Sequence, residues 1–342
     1  METILFLAHT EADGSLPKAA LETLGAAKTL TAGLAGSTLI VGLVGADVQA
    51  AANQIASCGA ARFLSVVGAE FSQARYASDI VAVEALGKAS SATIILGPAT
   101  SRWNRVMAGA AQRLGGRIDT HATGIAATDG KPAVTRWYYR QRMEGVLTRA
   151  QRPWIVLLES GCNAAYSGAT GNATLEPVAT TLPALRTTVT GVQAPAADAQ
   201  TIRPDAKLLF VAGAGWTKKQ ADGQAHADEA EKLILGFLGK AKASLGSTKS
   251  LVDLSGEGQA VLKFMTHLNQ IGQTGATPRH PKGLATCCHG EEPHTVGWRF
   301  INERRAINLN AACSWAQGKA DVLYVADSFA VMRKVNELLG TK

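Results

Sequence analysis

The chain has 342 residues, 46% of them hydrophobic and 6% aromatic, with a formal net charge of +7. That length accommodates two domains with substantial cores, and that composition excludes disorder. No apolar run approaches a membrane span, and the Lys and Arg residues are scattered without aromatic interleaving, which excludes membrane insertion and a nucleic-acid partner and leaves a basic surface suited to an acidic protein.

In chain order, Met1 to His9 lacks a basic leader and a small-residue cleavage site, so it reads as a strand and a cytoplasmic protein is expected. A turn at residues 13–17 leads into a helix over Lys18–Leu30, with Ala20, Leu21, Leu24 and Ala27 on one face. Leu39–Gly45 is a strand apolar enough to be buried on both faces. Helix over Ala46–Ser57, strand over Ala61–Val67, helix over Ser72–Ser90 and strand over Thr93–Gly97 follow. Later strands are expected at Trp137–Arg142, Gly145–Leu147 and Trp154–Glu159. This alternation predicts parallel β-α-β units.

From Leu185 to Asp205 small and turn-forming residues dominate and periodicity fades, so residues 185–205 read as a linker between domains at 1–184 and 206–342. A strand over Ala206–Ala212 ends at Gly213-Ala-Gly215. Those glycines could cradle a phosphate before a helix, but the third spaced glycine of a dinucleotide fingerprint is missing, and a plain turn is the favoured reading. Helix over Ala227–Ala241, strands over Ala306–Leu309 and Asp321–Ala326, and a closing helix over Phe329–Leu339 complete the pattern. The expected fold class is α/β, with two domains that each carry a mainly parallel sheet flanked by helices.

Five cysteines, Cys58, Cys162, Cys287, Cys288 and Cys313, are odd in number and irregularly spaced, which points to reduced thiols. Cys287-Cys-His289 with His294 nearby could bind a metal, but the spacing fits neither zinc nor an iron–sulfur cluster, and buried small residues at a strand end are the simpler reading. The most informative stretch is Asn269-Gln-Ile-Gly-Gln-Thr-Gly275. Gly272 and Gly275 carry no Cβ, so a flat ring or a phosphate can approach the main chain. Gln270, Gln273 and Thr274 supply donors and acceptors around it.

Together with three segments C-terminal to it, that loop resembles the alpha subunits of electron transfer flavoproteins. The residues that carry the resemblance are Gln270-Ile-Gly-Gln-Thr-Gly-Ala276, then Gly290 and His294 in Cys287-Cys-His-Gly-Glu-Glu-Pro-His294, then Ile307-Asn-Leu-Asn310, then Asp327. Gly97-Pro-Ala-Thr-Ser101, Ala108, Ala111-Gln-Arg-Leu114 and Asp119 extend it into the first half, so it covers nearly the whole chain. Gly246-Ser-Thr-Lys-Ser-Leu-Val-Asp253 is similar to a family segment in which an Arg sits where Lys249 stands.

The resemblance implies a C-terminal doubly wound domain that binds FAD, a heterodimer with the smaller beta subunit, a flavoprotein dehydrogenase as electron donor and a membrane quinone reductase as acceptor. It implies an electron carrier with no catalytic residues and no metal. Thr274, Lys249 and His294 would tune the flavin ring, a cation or imidazole there favouring the reduced anion. Gln270, Gly272, Gln273, Gly275, Gly290, Ser247, Thr248, Asn308 and Asp327 would hold the cofactor. The chain departs from the family at Gly215, where the family has Arg, at Glu291 and Glu292, which would oppose phosphates, and at Glu159, which replaces an Arg. These departures motivate a competing reading, an alpha-subunit-like structural partner whose nucleotide site is decayed or repurposed.

Overall fold

A computed structural model describes residues 1–138, 143–191, 202–203, 205–253, 261–272, 277–287, 301–312, 316 and 320–340. Two compact units divide the chain, Met1–Val192 and Gln193–Lys342. Residues 192–201 and 204 of the expected linker lie outside the described set.

The first unit carries β1 (Thr3–His9), α1 (Lys18–Gly33), β2 (Thr38–Gly45), α2 (Gln49–Gln54), β3 (Arg62–Val67), α3 (Tyr76–Ser90), β4 (Ile94–Pro98) and α4 (Ser101–Arg113). It continues with β5 (Arg117–Thr128), β6 (Lys131–Tyr138), β7 (Met143–Leu147), β8 (Trp154–Leu158) and β9 (Leu175–Pro177). These strands form one nine-stranded sheet in the order β7-β6-β5-β8-β4-β1-β2-β3-β9.

Alternation along β1 explains the layering. Ile4, Phe6 and Ala8 face a core shared with Leu24, Ala27 and Leu30 of α1. Leu5 and Leu7 face the opposite core, with Ile80, Val83 and Leu86 of α3 and Trp103 and Val106 of α4. A strand segment buried on both faces must be apolar, and Ile4–Ala8 of β1, Leu39–Gly45 of β2, β4 and β8 are.

Pairing is parallel from β5 through β8 and on to β9, but β5-β6 and β6-β7 are antiparallel. The sequence pattern does not anticipate this hairpin edge. Its turn is Asp129-Gly130, both with positive φ (50° and 72°), the backbone that matches the twist of a tight hairpin. The helix expected over Ala46–Ser57 is the shorter α2 followed by a 3-10 turn at Ala56–Cys58.

The second unit carries β10 (Leu208–Ala212), α5 (Ala227–Ala241), β11 (Ser244–Ser247), α6 (Lys249–Asp253), β12 (His280–Cys287), β13 (Ile301–Asn308), β14 (Val322–Val325) and α7 (Ser328–Gly340). Its five strands are parallel throughout and ordered β11-β10-β12-β13-β14. Ile234 and Phe237 of α5 with Phe329 and Met332 of α7 cover one face. Leu209, Val211, Ile271, Ala285 and Ala306 fill the other. The α/β class with two mainly parallel sheets is thus what the molecule adopts. Among the described residues, no helix is long and apolar enough to cross a membrane.

Candidate functional site

The strand order of the second unit marks one candidate crevice. The chain leaves β10 for β11 on one side and returns to β12 on the other, so connections diverge at the carboxyl ends of β10 and β12. In open α/β sheets that crevice is where ligands bind. Register aligns Ala212 with Ser247 and with Thr286, Cys287 with Asn308, and Asn308 with Val325. Ser247, Asn308 and the segment after Val325 therefore share one edge.

Ser247 ends β11 fully buried, and its Oγ has no hydrogen-bond partner. Gln270 bridges to Ser247 as an isolated parallel pair, and the Ile271 N–H donates to the Ser247 carbonyl at 3.1 Å. Gly272 follows with φ 74°, a left-handed conformation that glycine adopts without strain. Its N–H donates to Thr277 Oγ1 at 2.6 Å, which ties together the two ends of residues 273–276. Ser247, Gln270 and Gly272 are thus brought together as a strand end and the loop beside it.

Thr248 is buried and committed locally. Its Oγ1 accepts the Leu251 N–H at 3.3 Å and caps α6, and its own N–H donates to the Ala212 carbonyl at 2.9 Å. Lys249 is exposed on the first turn of that helix.

Asn308 ends β13 fully buried. Its Oδ1 accepts the Asn310 N–H at 2.8 Å, whereas its Nδ2 has no partner. The Ala326 N–H donates to the Asn308 carbonyl at 3.2 Å, so the start of α7 lies beside the end of β13. Asp327 caps α7, its Oδ1 accepting the Ala330 N–H at 2.7 Å. Asn308 and Asp327 are neighbours; Ser247 and Lys249 belong to the opposite end of the row. Gln273, Thr274, Gly275, Gly290 and His294 lie outside the described residues, as do Cys288, Glu291 and Glu292.

Three contributors escaped the sequence reading. Trp216 is fully buried and donates through Nε1 to Thr286 Oγ1 at 2.8 Å; Thr286 in turn donates to the Val211 carbonyl at 3.0 Å, bracing β12 against β10. Ser328, the first residue of α7, is fully buried with an unpartnered Oγ. Nothing in the local sequence marks these residues. Gly213-Ala-Gly215 does not open a helix: it enters a buried 3-10 turn at Ala214–Thr217, and α5 begins only at Ala227. Among the described residues no group of three or more His, Cys, Asp or Glu side chains could hold a metal.

A family model, the electron transfer flavoprotein domain, matches residues 4–201, more than half of the chain. The chain belongs to the electron transfer flavoprotein family. No curated protein matches it. The match spans β1 to β9 and ends before β10, so the edge carrying Ser247 and Asn308 lies beyond it.

Within the matched segment the Gly97-Pro-Ala-Thr-Ser101 run is a structural corner. Thr100 caps α4 by accepting the Trp103 N–H at 3.2 Å, and His9 Nε2 lies 3.1 Å from its Oγ1. Burial pushes the His9 imidazole below its ordinary pKa, and the Arg102 charge adds to the effect. Asp119, at the other end of the run, is buried beneath Arg149, Arg136 and the Trp154 Nε1–H. Glu159 pairs through Oε1 with His121 Nδ1 at 2.8 Å.

Proposed function

We propose that this electron transfer flavoprotein is of the alpha type, holds one FAD along the carboxyl edge of the five-stranded sheet, and pairs with a beta subunit. The observation that carries the reading is that edge itself. It belongs to a wholly parallel sheet and ends in two fully buried polar atoms, Ser247 Oγ and Asn308 Nδ2, that have no partner in the protein. Buried polar groups are nearly always satisfied, so atoms of this kind at a switch point fit a polar ligand.

FAD supplies reversible one- and two-electron chemistry. The protein supplies binding and electrostatics. Ser247, Gln270 and Gly272 offer a hydroxyl, an amide and a close backbone approach at one end. At the other end Asn308 donates through Nδ2, and Asp327 keeps Oδ2 to accept ligand hydroxyls. Lys249 places a positive charge at the Ser247 end, which favours an anionic reduced ring. Gln273, Thr274, Gly275, Gly290 and His294 complete the set by resemblance. The donor is a flavoprotein dehydrogenase, the acceptor a membrane quinone reductase, and the compartment the cytoplasm.

A visible absorption spectrum of the chain copurified with its small subunit, with the released cofactor identified by mass, tests this reading. Stoichiometric FAD that bleaches on reduction supports the carrier. A colourless, folded heterodimer supports the structural-partner reading instead, which Gly215 favours: it stands where the family has Arg, and it is buried in the 3-10 turn.

A further inference from the structure

The outermost strand of the second sheet is apolar where edge strands usually carry charge. β14 reads Val322-Leu-Tyr-Val325, and Val322, Tyr324 and Val325 are exposed. Soluble proteins blunt or cover such edges, so an uncharged one marks a binding surface. Register sets Arg305 between Leu284 and Val322, and Ile307 beside Tyr324. Side chains two apart on a strand share a face, so Arg305 and Ile307 point the same way.

Between this part of the sheet and α7 runs a groove of about 600 Å³. Small-molecule sites span about 300–1,000 Å³. Leu284, Ile307, Val331, Met332 and Val335 make the groove apolar, with Ile307 and Met332 buried at its floor. Among the described residues that line it, Arg305 is the one charge. Arg305 is exposed and meets no carboxylate among the described residues; its Nη1 donates to Tyr324 Oη at 2.8 Å. That bond fixes the phenol as acceptor and leaves its O–H to donate. The guanidinium keeps Nε and Nη2, the planar fork that suits a carboxylate.

We propose that this groove binds an apolar chain ending in a carboxylate, a fatty acid being the simplest case. The chain lies along Ile307, Val331 and Val335, and the carboxylate meets the Arg305 guanidinium and the Tyr324 hydroxyl. Burial of the chain supplies affinity, and the fork selects the head group. A neutral head leaves the fork to water, and a cationic head is repelled. None of the residues assigned to FAD lines the groove, so the proposal goes beyond the FAD reading and stands independently of it.

Calorimetric titration of the full-length chain, alone and copurified with its small subunit, tests this. The probes are decanoate below its micelle concentration, decanol and acetate. Decanoate is expected to bind both preparations saturably, decanol about tenfold more weakly, and acetate not at all. Arg305→Gln weakens decanoate about tenfold and leaves decanol unchanged, and Arg305→Lys recovers part of the loss. A parent that does not bind decanoate overturns the proposal. Decanol that binds as tightly as decanoate, or Arg305→Gln with the parent's affinity, overturns it as well. Binding by the lone chain that disappears in the heterodimer also overturns it, and makes the groove a seat for the small subunit.

Discussion

Arg102 and Asp79 form a bidentate ion pair almost wholly removed from water, with Nε to Oδ2 at 2.9 Å and Nη2 to Oδ1 at 2.6 Å. Arg102 Nη2 also donates to the Phe71 carbonyl at 2.7 Å, so one guanidinium fastens α4 to α3 and to the turn before it. Removing one partner strands the other charge in a low-dielectric site. Asp79→Ala is expected to cost about 3–5 kcal/mol in urea unfolding. Pairing Asp79→Leu with Arg102→Met should recover most of that loss, because no charge then remains to be solvated.

Asp119 gives an acid-side signature. Burial alone would raise its pKa, but hydrogen bonds from Arg149 and Trp154 and the charges of Arg149 and Arg136 outweigh burial and hold the carboxyl below its ordinary value. An unfolded aspartate titrates near about 3.9, so above that pH both states are ionised and the stabilisation is fully present. It is lost as pH falls through the lower folded value. Asp119→Asn is therefore expected to be less stable than the parent at pH 7, with the gap closing below about pH 4. A gap constant from pH 7 to pH 3 would remove Asp119 from the acid transition.

His9 works in the same direction in a higher window. Its folded pKa is depressed, chiefly by burial, so the unfolded state takes up protons first as pH falls below about 6.5. The ring packs edge-on against Trp103 with centroids 5.3 Å apart, a contact that phenylalanine can keep. His9→Phe is expected to lose less stability than the parent between pH 7 and pH 5, read as the change in melting temperature. Parallel curves for the two proteins would exclude His9 as the titrating group.

What the sequence discloses divides along physical lines. Strands buried on both faces, such as Leu39–Gly45, announce themselves as apolar runs, and the helix at Ala227–Ala241 does so through its apolar stripe. By contrast, β12 begins His280-Pro-Lys-Gly, so the central strand of the second sheet hides behind a proline and a charge. The four residues of β11 are too few for any period. Along the candidate edge, Gln270 and Gly272 were legible from the chemistry of their loop, and Ser247, Asn308 and Asp327 only through the family resemblance. Ser328 was not, since a serine opening a helix is ordinary and only its enclosure without a partner sets it apart. Thr248, expected at the cofactor through the family resemblance, has its Oγ1 accepting the Leu251 N–H at 3.3 Å at the start of α6.

Gly246 explains how Gln270 comes so close to Ser247. A Cβ there would meet Ile271 Cγ2 at 2.7 Å and Leu209 Cδ1 at 3.2 Å, and Ile271 is completely buried. Gly246→Ala must push Ile271 outward, and with it the Gln270–Gly272 segment whose N–H donates to the Ser247 carbonyl. Overpacking of this kind is expected to cost about 1–3 kcal/mol in unfolding and to speed loss of flavin on dialysis. Ile271→Val frees the contact, so the double variant should recover part of both losses, a coupling that a double-mutant cycle measures. Strictly additive effects would mean that the strain resides elsewhere.

Lys249 is the residue on which the electron-carrier reading can be tested by potential. It begins α6 directly after Ser247 and Thr248 and is exposed, so its charge is partly screened and its influence on a bound ring is modest. Lys249→Met is expected to lower the two-electron midpoint potential of bound FAD by about 30 mV, roughly a tenfold change in the reduction equilibrium. Lys249→Arg keeps the charge and should hold the midpoint near that of the parent while adding a planar fork able to pair with the ring's oxygens. Potentiometric titration of all three proteins separates charge from shape. A methionine variant that titrates with the parent would show that this cation does not sense the flavin, and the tuning role would then pass to residues beyond β12.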